Sequence, residues 1–186
     1  MMFEDRYANL RSAATGRRRP FVAVTLAATL LVAAALPSLA GQSSLAAVRQ
    51  ATAAFHNLST AEAAGYGLFY VCTDEPDEGA MGQHFVKGSL VGDGAIDPLT
   101  PEALIYEPLR GGGYRLVGVE YVVLTEAWDA GNSSRPTLFG HSFHFVDSPN
   151  RYGLDPFYEL HVWLWKPNPS GMFHDWNPRV SCAFAE

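Results

Sequence analysis

Four side chains lie where strands are predicted and have the types to do chemistry together: His84 in MGQHFV, Glu107 in LIYEPL, Glu120 in YRLVGVEYVVL and His161 in LHVWLW. Alternation along YRLVGVEYVVL puts Val117, Val119, Tyr121 and Val123 on one face and Leu116, Gly118, Glu120 and Val122 on the other. Both faces are apolar, so the strand is expected to be buried on both sides with an acid inside it. A buried carboxylate without a partner costs several kcal/mol or is forced to hold its proton. Basic residues are scarce in this part of the chain and mostly flank turns, which leaves the two histidines within strands, His84 and His161, as its company. Two neutral imidazoles and one carboxylate on neighbouring strands suit zinc, iron or manganese, with an open position for a small molecule. Glu107 is then a candidate fourth ligand or general base. No H-E-x-x-H or C-x-x-C spacing fixes that geometry. The alternative is a pair of core histidines satisfied by hydrogen bonds, one of them paired to Glu120.

The stretch LHVWLWKPNPSGMFHDWNP raises a second chemistry. Leu160, Val162 and Leu164 alternate with Glu159, His161, Trp163 and Trp165, so two indoles share a strand face and, with Trp176, form a candidate platform for stacking on sugar rings. A hydrophobic core layer is the competing use of the same indoles. His141 and His144 form an H-x-x-H pair in LFGHSFHF, but Gly140 and the aromatic neighbours favour a loop or strand, where the side chains diverge, so both read as surface histidines. His174, beside Asp175, follows a turn and reads as exposed. His56 falls at a helix end, where a cation suits the dipole. The acidic run TDEPDE lacks the spacing and glycine of a calcium loop and reads as solvated. No serine sits in a G-x-S-x-G elbow, and GGGY leads into no helix that would cradle phosphate.

Positioning these residues takes a sheet. Residues 66–72, 82–86, 103–107, 114–124 and 158–166 are rich in β-branched and aromatic side chains and end at Gly, Pro or Asp. Gly111, Gly112 and Gly113, between IYEPL and YRLVGVEYVVL, predict a hairpin of antiparallel strands. Helical periodicity is confined to residues 44–65, where Leu45, Val48, Thr52 and Phe55 recur at helical spacing and Ser59 with Glu62 makes a capping box for a second short turn. Asn168-Pro169 and Asn177-Pro178 read as turns that bring the tail back across the sheet. The expected fold is α+β, an N-terminal helix packed on a curled antiparallel sheet or half-barrel, in one domain over residues 41–186.

Residues 1–40 carry the three parts of an export signal peptide: Arg17, Arg18 and Arg19, an apolar run over 21–36 broken by Thr25 and Thr29, and the exit Ser38-Leu39-Ala40 after Pro37. The run is short of the roughly 20 apolar residues of a spanning helix. Cleavage before Gly41 is therefore expected, with no membrane attachment afterwards. Arg18-Arg19-Pro20-Phe21 also fits the core of a twin-arginine signal, the route of folded proteins. Of 13 Lys+Arg and 19 Asp+Glu, the leader holds five Arg, Glu4 and Asp5, leaving 8 basic and 17 acidic residues and a net charge of −9. Such a surface repels phosphate backbones and anionic lipid, which argues against nucleic-acid and membrane-surface partners. Outside the cytoplasm the two cysteines, Cys72 and Cys182, are expected to pair as a disulfide.

The motifs MGQHFV, EALIYEPL, RLVGVEYVV and LHVWLWKPNPSGMFHDWNPRVSC, in that order, resemble a family of small exported bacterial proteins without an established activity. The resemblance covers most of the mature chain, from AAFHNLSTAEAAGYG to Cys182. It implies that the strands with His84, Glu107, Glu120 and His161 belong to a recurrent pattern, whereas LFGHSFHF is less typical, and it supplies no mechanism. The sequence thus leads to an exported domain, periplasmic, cell-envelope or secreted, that binds a metal ion or small ligand in a sheet pocket through His84, Glu120 and His161. A metal-dependent hydrolase or oxygenase using the same residues, and a glycan-binding or envelope-interaction protein using the Trp face, are the alternatives.

Overall fold

The computed structural model describes residues 44–185; the export-signal reading falls on residues 1–40 and lies outside them. The chain begins with α1 (Leu45–Thr52), a 3-10 turn (Ala53–His56) and α2 (Leu58–Ala63). Ser44 caps α1 by accepting from the Ala47 N–H at 3.2 Å. The cap of α2 is Asn57, whose Oδ1 accepts from both the N–H and the hydroxyl of Ser59. Ser59 uses its hydroxyl as a donor there, so the expected capping box does not form. Val48 of α1 is fully buried among the main core residues, and the Tyr106 hydroxyl donates to the Phe55 carbonyl at 2.6 Å.

The strands and remaining helices follow as β1 (Gly67–Glu75), β2 (Gly79–Val86), α3 (Gly88–Val91), β3 (Ala103–Pro108), β4 (Tyr114–Leu124), α4 (Thr125–Asp129), β5 (Thr137–Leu138), β6 (His141–Ser142), β7 (His144–Val146) and β8 (Phe157–Val162). Six of the strands form a curled antiparallel half-barrel in the order β1-β2-β3-β4-β8-β7, and β5 pairs with β6 alone. With the short helices this is an α+β fold. Among the described residues no helix is long and apolar enough to cross a membrane.

Two irregularities decide which side chains share a face. Along the β3–β4 ladder Ile105 faces Gly118 but Tyr106 faces Leu116, so Val117 is an extra residue in a β-bulge. Leu116 therefore turns to the side of Val119, Tyr121 and Val123 in the main core, while Val117 joins Ala80, Ile105, Trp163 and Val180 in a smaller cluster. Strict alternation predicts the reverse for Leu116 and Val117. The bulge also frees the Val117 carbonyl, which accepts from the N–H groups of Trp165 and Lys166 at 3.0 and 3.2 Å. That contact ends β8 at Val162, short of the predicted 158–166 strand.

A second bulge lies in β1, where Phe69 faces His84 but Thr73 faces Gly82, leaving residues 70–72 opposite Gln83 alone. The Gln83 side chain fills the gap by donating to the Tyr70 carbonyl at 2.7 Å. Cys72, in this bulge, is disulfide-bonded to Cys182, with a Cα–Cα distance of 5.6 Å. The tail is held further by Asn177 and Ala80, which exchange backbone hydrogen bonds of 3.1 and 3.2 Å.

Candidate metal centre

Register places three ionisable side chains on one face. Glu120 stands directly opposite His161 across the β4–β8 ladder, and Ala103 of β3 flanks Glu120 on its other side. His84 of β2 lies two residues along, opposite Ile105. Ala103 offers only a methyl group, which leaves space above β3. β2 and β8 are three strands apart, about 14 Å in a flat sheet. Yet the Nε2 atoms of His84 and His161 are 3.4 Å apart. The curl of the half-barrel closes that gap and makes this face concave.

His84 Nε2 is 3.4 Å from Glu120 Oε2, and His161 Nε2 is 3.7 Å from Glu120 Oε1. Ligand atoms held about 2.0–2.1 Å from a tetrahedral zinc lie about 3.3–3.4 Å from one another. The three side chains are thus spaced as three corners of such a site, and all three are buried. His161 is also approached from outside. His161 turns Nδ1 toward Asp175 Oδ1 at 3.5 Å, and Asp175 Oδ2 is held by His144 Nδ1 at 2.9 Å. A carboxylate or backbone carbonyl behind a histidine is the usual support of a metal ligand.

Without a metal the cluster distributes protons unevenly. Burial, and then the charge on His161, push the His84 pKa down to about 3, with the nearby Gly82 backbone pulling the other way. Burial alone would lower His161 too, but Glu120, Asp175 and Glu159 outweigh it and raise the group to about 9. Burial lifts the Glu120 carboxyl well above its ordinary range despite the neighbouring His161 charge, and it lifts Glu159 as well. Asp175 ends below the usual range because His161 and His144 overcome its burial. In the metal-free cluster these environments favour the charged forms of His161 and Asp175 and the protonated forms of Glu120 and Glu159. A metal at the three-ligand position would take the place of those protons.

His84, Glu120 and Glu159 open onto a cavity of about 320 Å³ whose other walls include Leu68, Phe69, Val122, Tyr152, Leu154 and Phe157. Glu159 and Asp175, with His161, also form a second group of metal-ligand types. Glu159 was legible as the residue two before His161 on the same strand face. Asp175 had no such signal, because it reaches His161 from the returning tail.

The other sequence candidates lie elsewhere. Glu107 receives both of its oxygens' partners from Lys166 Nζ, at 2.7 Å each, with Arg115 at 3.8 Å. A carboxylate so paired is neither a fourth ligand nor a free base. The indole face is divided by the end of β8: Trp163 is 1% exposed and donates Nε1 to the His174 carbonyl at 2.6 Å, whereas Trp165 packs on the main core, edge-on to His56. Trp176 lies under the Arg151 guanidinium. No common platform results. His174 bonds locally to Trp176, and His141 stacks on Phe173, while His144, read as an adventitious surface residue, supports Asp175.

Comparison with known proteins found no protein family, no curated protein and no solved structure that matches this chain.

Proposed function

We propose that this protein binds a divalent transition metal, zinc before iron or manganese, through His84 Nε2, Glu120 and His161 Nε2, and presents it to a small molecule in the adjoining cavity. The observation that carries this reading is the 3.4–3.7 Å spacing of three buried ligand atoms. The Asp175 carboxylate behind His161, and the charge that a cation would supply among Glu120, Glu159 and Asp175, support it. The protein acts after export, in a periplasmic, cell-envelope or secreted setting, a reading supported by the Cys72–Cys182 bond and by the leader sequence.

Protein purified without chelator should carry about one zinc per chain by elemental analysis, and the His161→Gln variant, which keeps the volume, should carry almost none. Added zinc should raise the unfolding temperature of stripped wild-type protein. Stripped protein that is folded and takes up no zinc, iron or manganese at micromolar concentration would remove the proposal.

One observation favours catalysis over binding alone. Glu159 lines the cavity beside Glu120, and its raised affinity for protons suits a group that moves a proton on a bound molecule. A metal there supplies Lewis acidity, as a hydrolase or oxygenase requires. Turnover by metal-loaded protein that is lost in Glu159→Gln, with metal content retained, would separate an enzyme from a binding protein.

A further inference from the structure

We infer that the molecule taken into the cavity is a largely apolar one, about the size of two fused rings, with a single hydroxyl oxygen that reaches the metal; this rests on the metal reading above. The size follows from the space. The cavity of about 320 Å³ is roughly twice the ~150 Å³ that accepts a benzene ring. The polarity follows from the wall. Apart from Tyr152, its ionisable side chains are His84, Glu120 and Glu159, and these contact one another at one place. The rest of the lining is aliphatic or aromatic, and Leu68 extends it outward as a rim residue 62% exposed. Tyr152 lies between Phe69 and Phe157, with ring centroids 6.4 and 6.1 Å away, so a flat ring system meets aromatic surface.

A ligand with many hydroxyls does not fit this wall. Each hydroxyl turned to Leu154, Val122 or Phe157 would lose water without gaining a partner, at a cost of about 1–3 kcal/mol. That excludes sugars and leaves one polar end, placed where the ligand atoms of the metal converge.

The test uses cobalt-loaded protein with 2-naphthol and naphthalene as probes. 2-Naphthol should bind one per chain, change the visible absorption of the cobalt, and bind up to about tenfold tighter than naphthalene, the worth of one well-placed atom. Naphthalene should leave the cobalt spectrum unchanged. Leu154→Trp, at a partly exposed wall position, should weaken 2-naphthol severalfold while the ligand-free cobalt spectrum stays as in wild type. Protein that retains cobalt whose spectrum 2-naphthol does not alter overturns this inference alone, as does binding that Leu154→Trp leaves untouched. Protein that retains no cobalt overturns the metal reading and this inference together.

Discussion

His161 and His84 are chemically the same side chain, and the fold gives them opposite proton affinities, about 9 and about 3. Because His161 is raised in the folded state, its contribution to stability is full below the unfolded value near 6.5 and is lost as pH rises through about 9. Glu120, also raised, works in the same direction. His84 is lowered, so its contribution is present above 6.5 and is lost as pH falls toward 3. Glu102 adds a loss of its own as pH rises from the ordinary carboxyl range through about 8. Burial lifts it to about 8, with a hydrogen bond from the Val122 N–H pulling the other way. The raised groups outnumber His84, so metal-free protein should be most stable at mildly acidic pH and lose stability as pH rises through neutrality to about 9. In the Glu102→Gln background, thermal unfolding at pH 7 and 9 should show an alkaline decline that saturating zinc abolishes, since metal replaces the protons in question. An alkaline decline of equal size with and without zinc would contradict the proton inventory. The convergence of His84, Glu120 and His161 was legible in the sequence because an acid inside a doubly apolar strand demands compensation and few residues were available. Glu107 misled for the converse reason: its partner Lys166 lies 59 residues away, and nothing local announces the pair.

At the scale of elements, the strands were legible from their composition, and β4 was read to its ends. What alternation alone could not carry was the extra residue at Val117, which changes the sides of Leu116 and Val117 and, through its carbonyl, ends β8. The Trp163–Trp165 platform failed on that account. Bulges depend on the register of two strands, so no single strand's sequence states them. The same junction holds the face of the proposed metal site together. A Cβ added at Gly118 would stand 2.9 Å from the Val162 carbonyl oxygen and 3.5 Å from Trp163, so β8 must move, and Val162 is the residue after His161. Gly118→Ala should cost about 1–3 kcal/mol in denaturant unfolding. It should also weaken zinc binding measurably by calorimetry. Gly131→Ala, where an added Cβ meets nothing within 4 Å, is the control and should leave zinc affinity unchanged. Wild-type stability and zinc affinity in Gly118→Ala would show that the β4–β8 contact does not set the site.

Across the whole molecule, the proposed ligands and their support come from different parts of the chain, and the disulfide distinguishes them. His84, Glu120 and His161 all sit on strands of one hydrogen-bonded sheet. Asp175, which backs His161, belongs to the tail, and the tail is fastened by the Asn177–Ala80 pairing and by Cys182 to Cys72, 110 residues away. Pairing of the cysteines was legible from their number, but the consequence for Asp175 was not, because it depends on where the tail lands. Closing a loop of that length contributes about 4–5 kcal/mol in the chain-entropy model. The Cys72→Ser, Cys182→Ser double variant should lose about that much stability in denaturant titrations, a large share of a marginal total. Its folded fraction should still bind zinc, more weakly by up to about the 10–100-fold typical of losing an outer carboxylate. Asp175→Asn in the disulfide-bonded protein should reproduce the weaker binding with a much smaller loss of stability, because the tail stays tied. Folded double variant that binds zinc as tightly as wild type would mean that Asp175 holds its place without the bond. Folded variant that binds none would mean that the sheet alone does not arrange the three ligands.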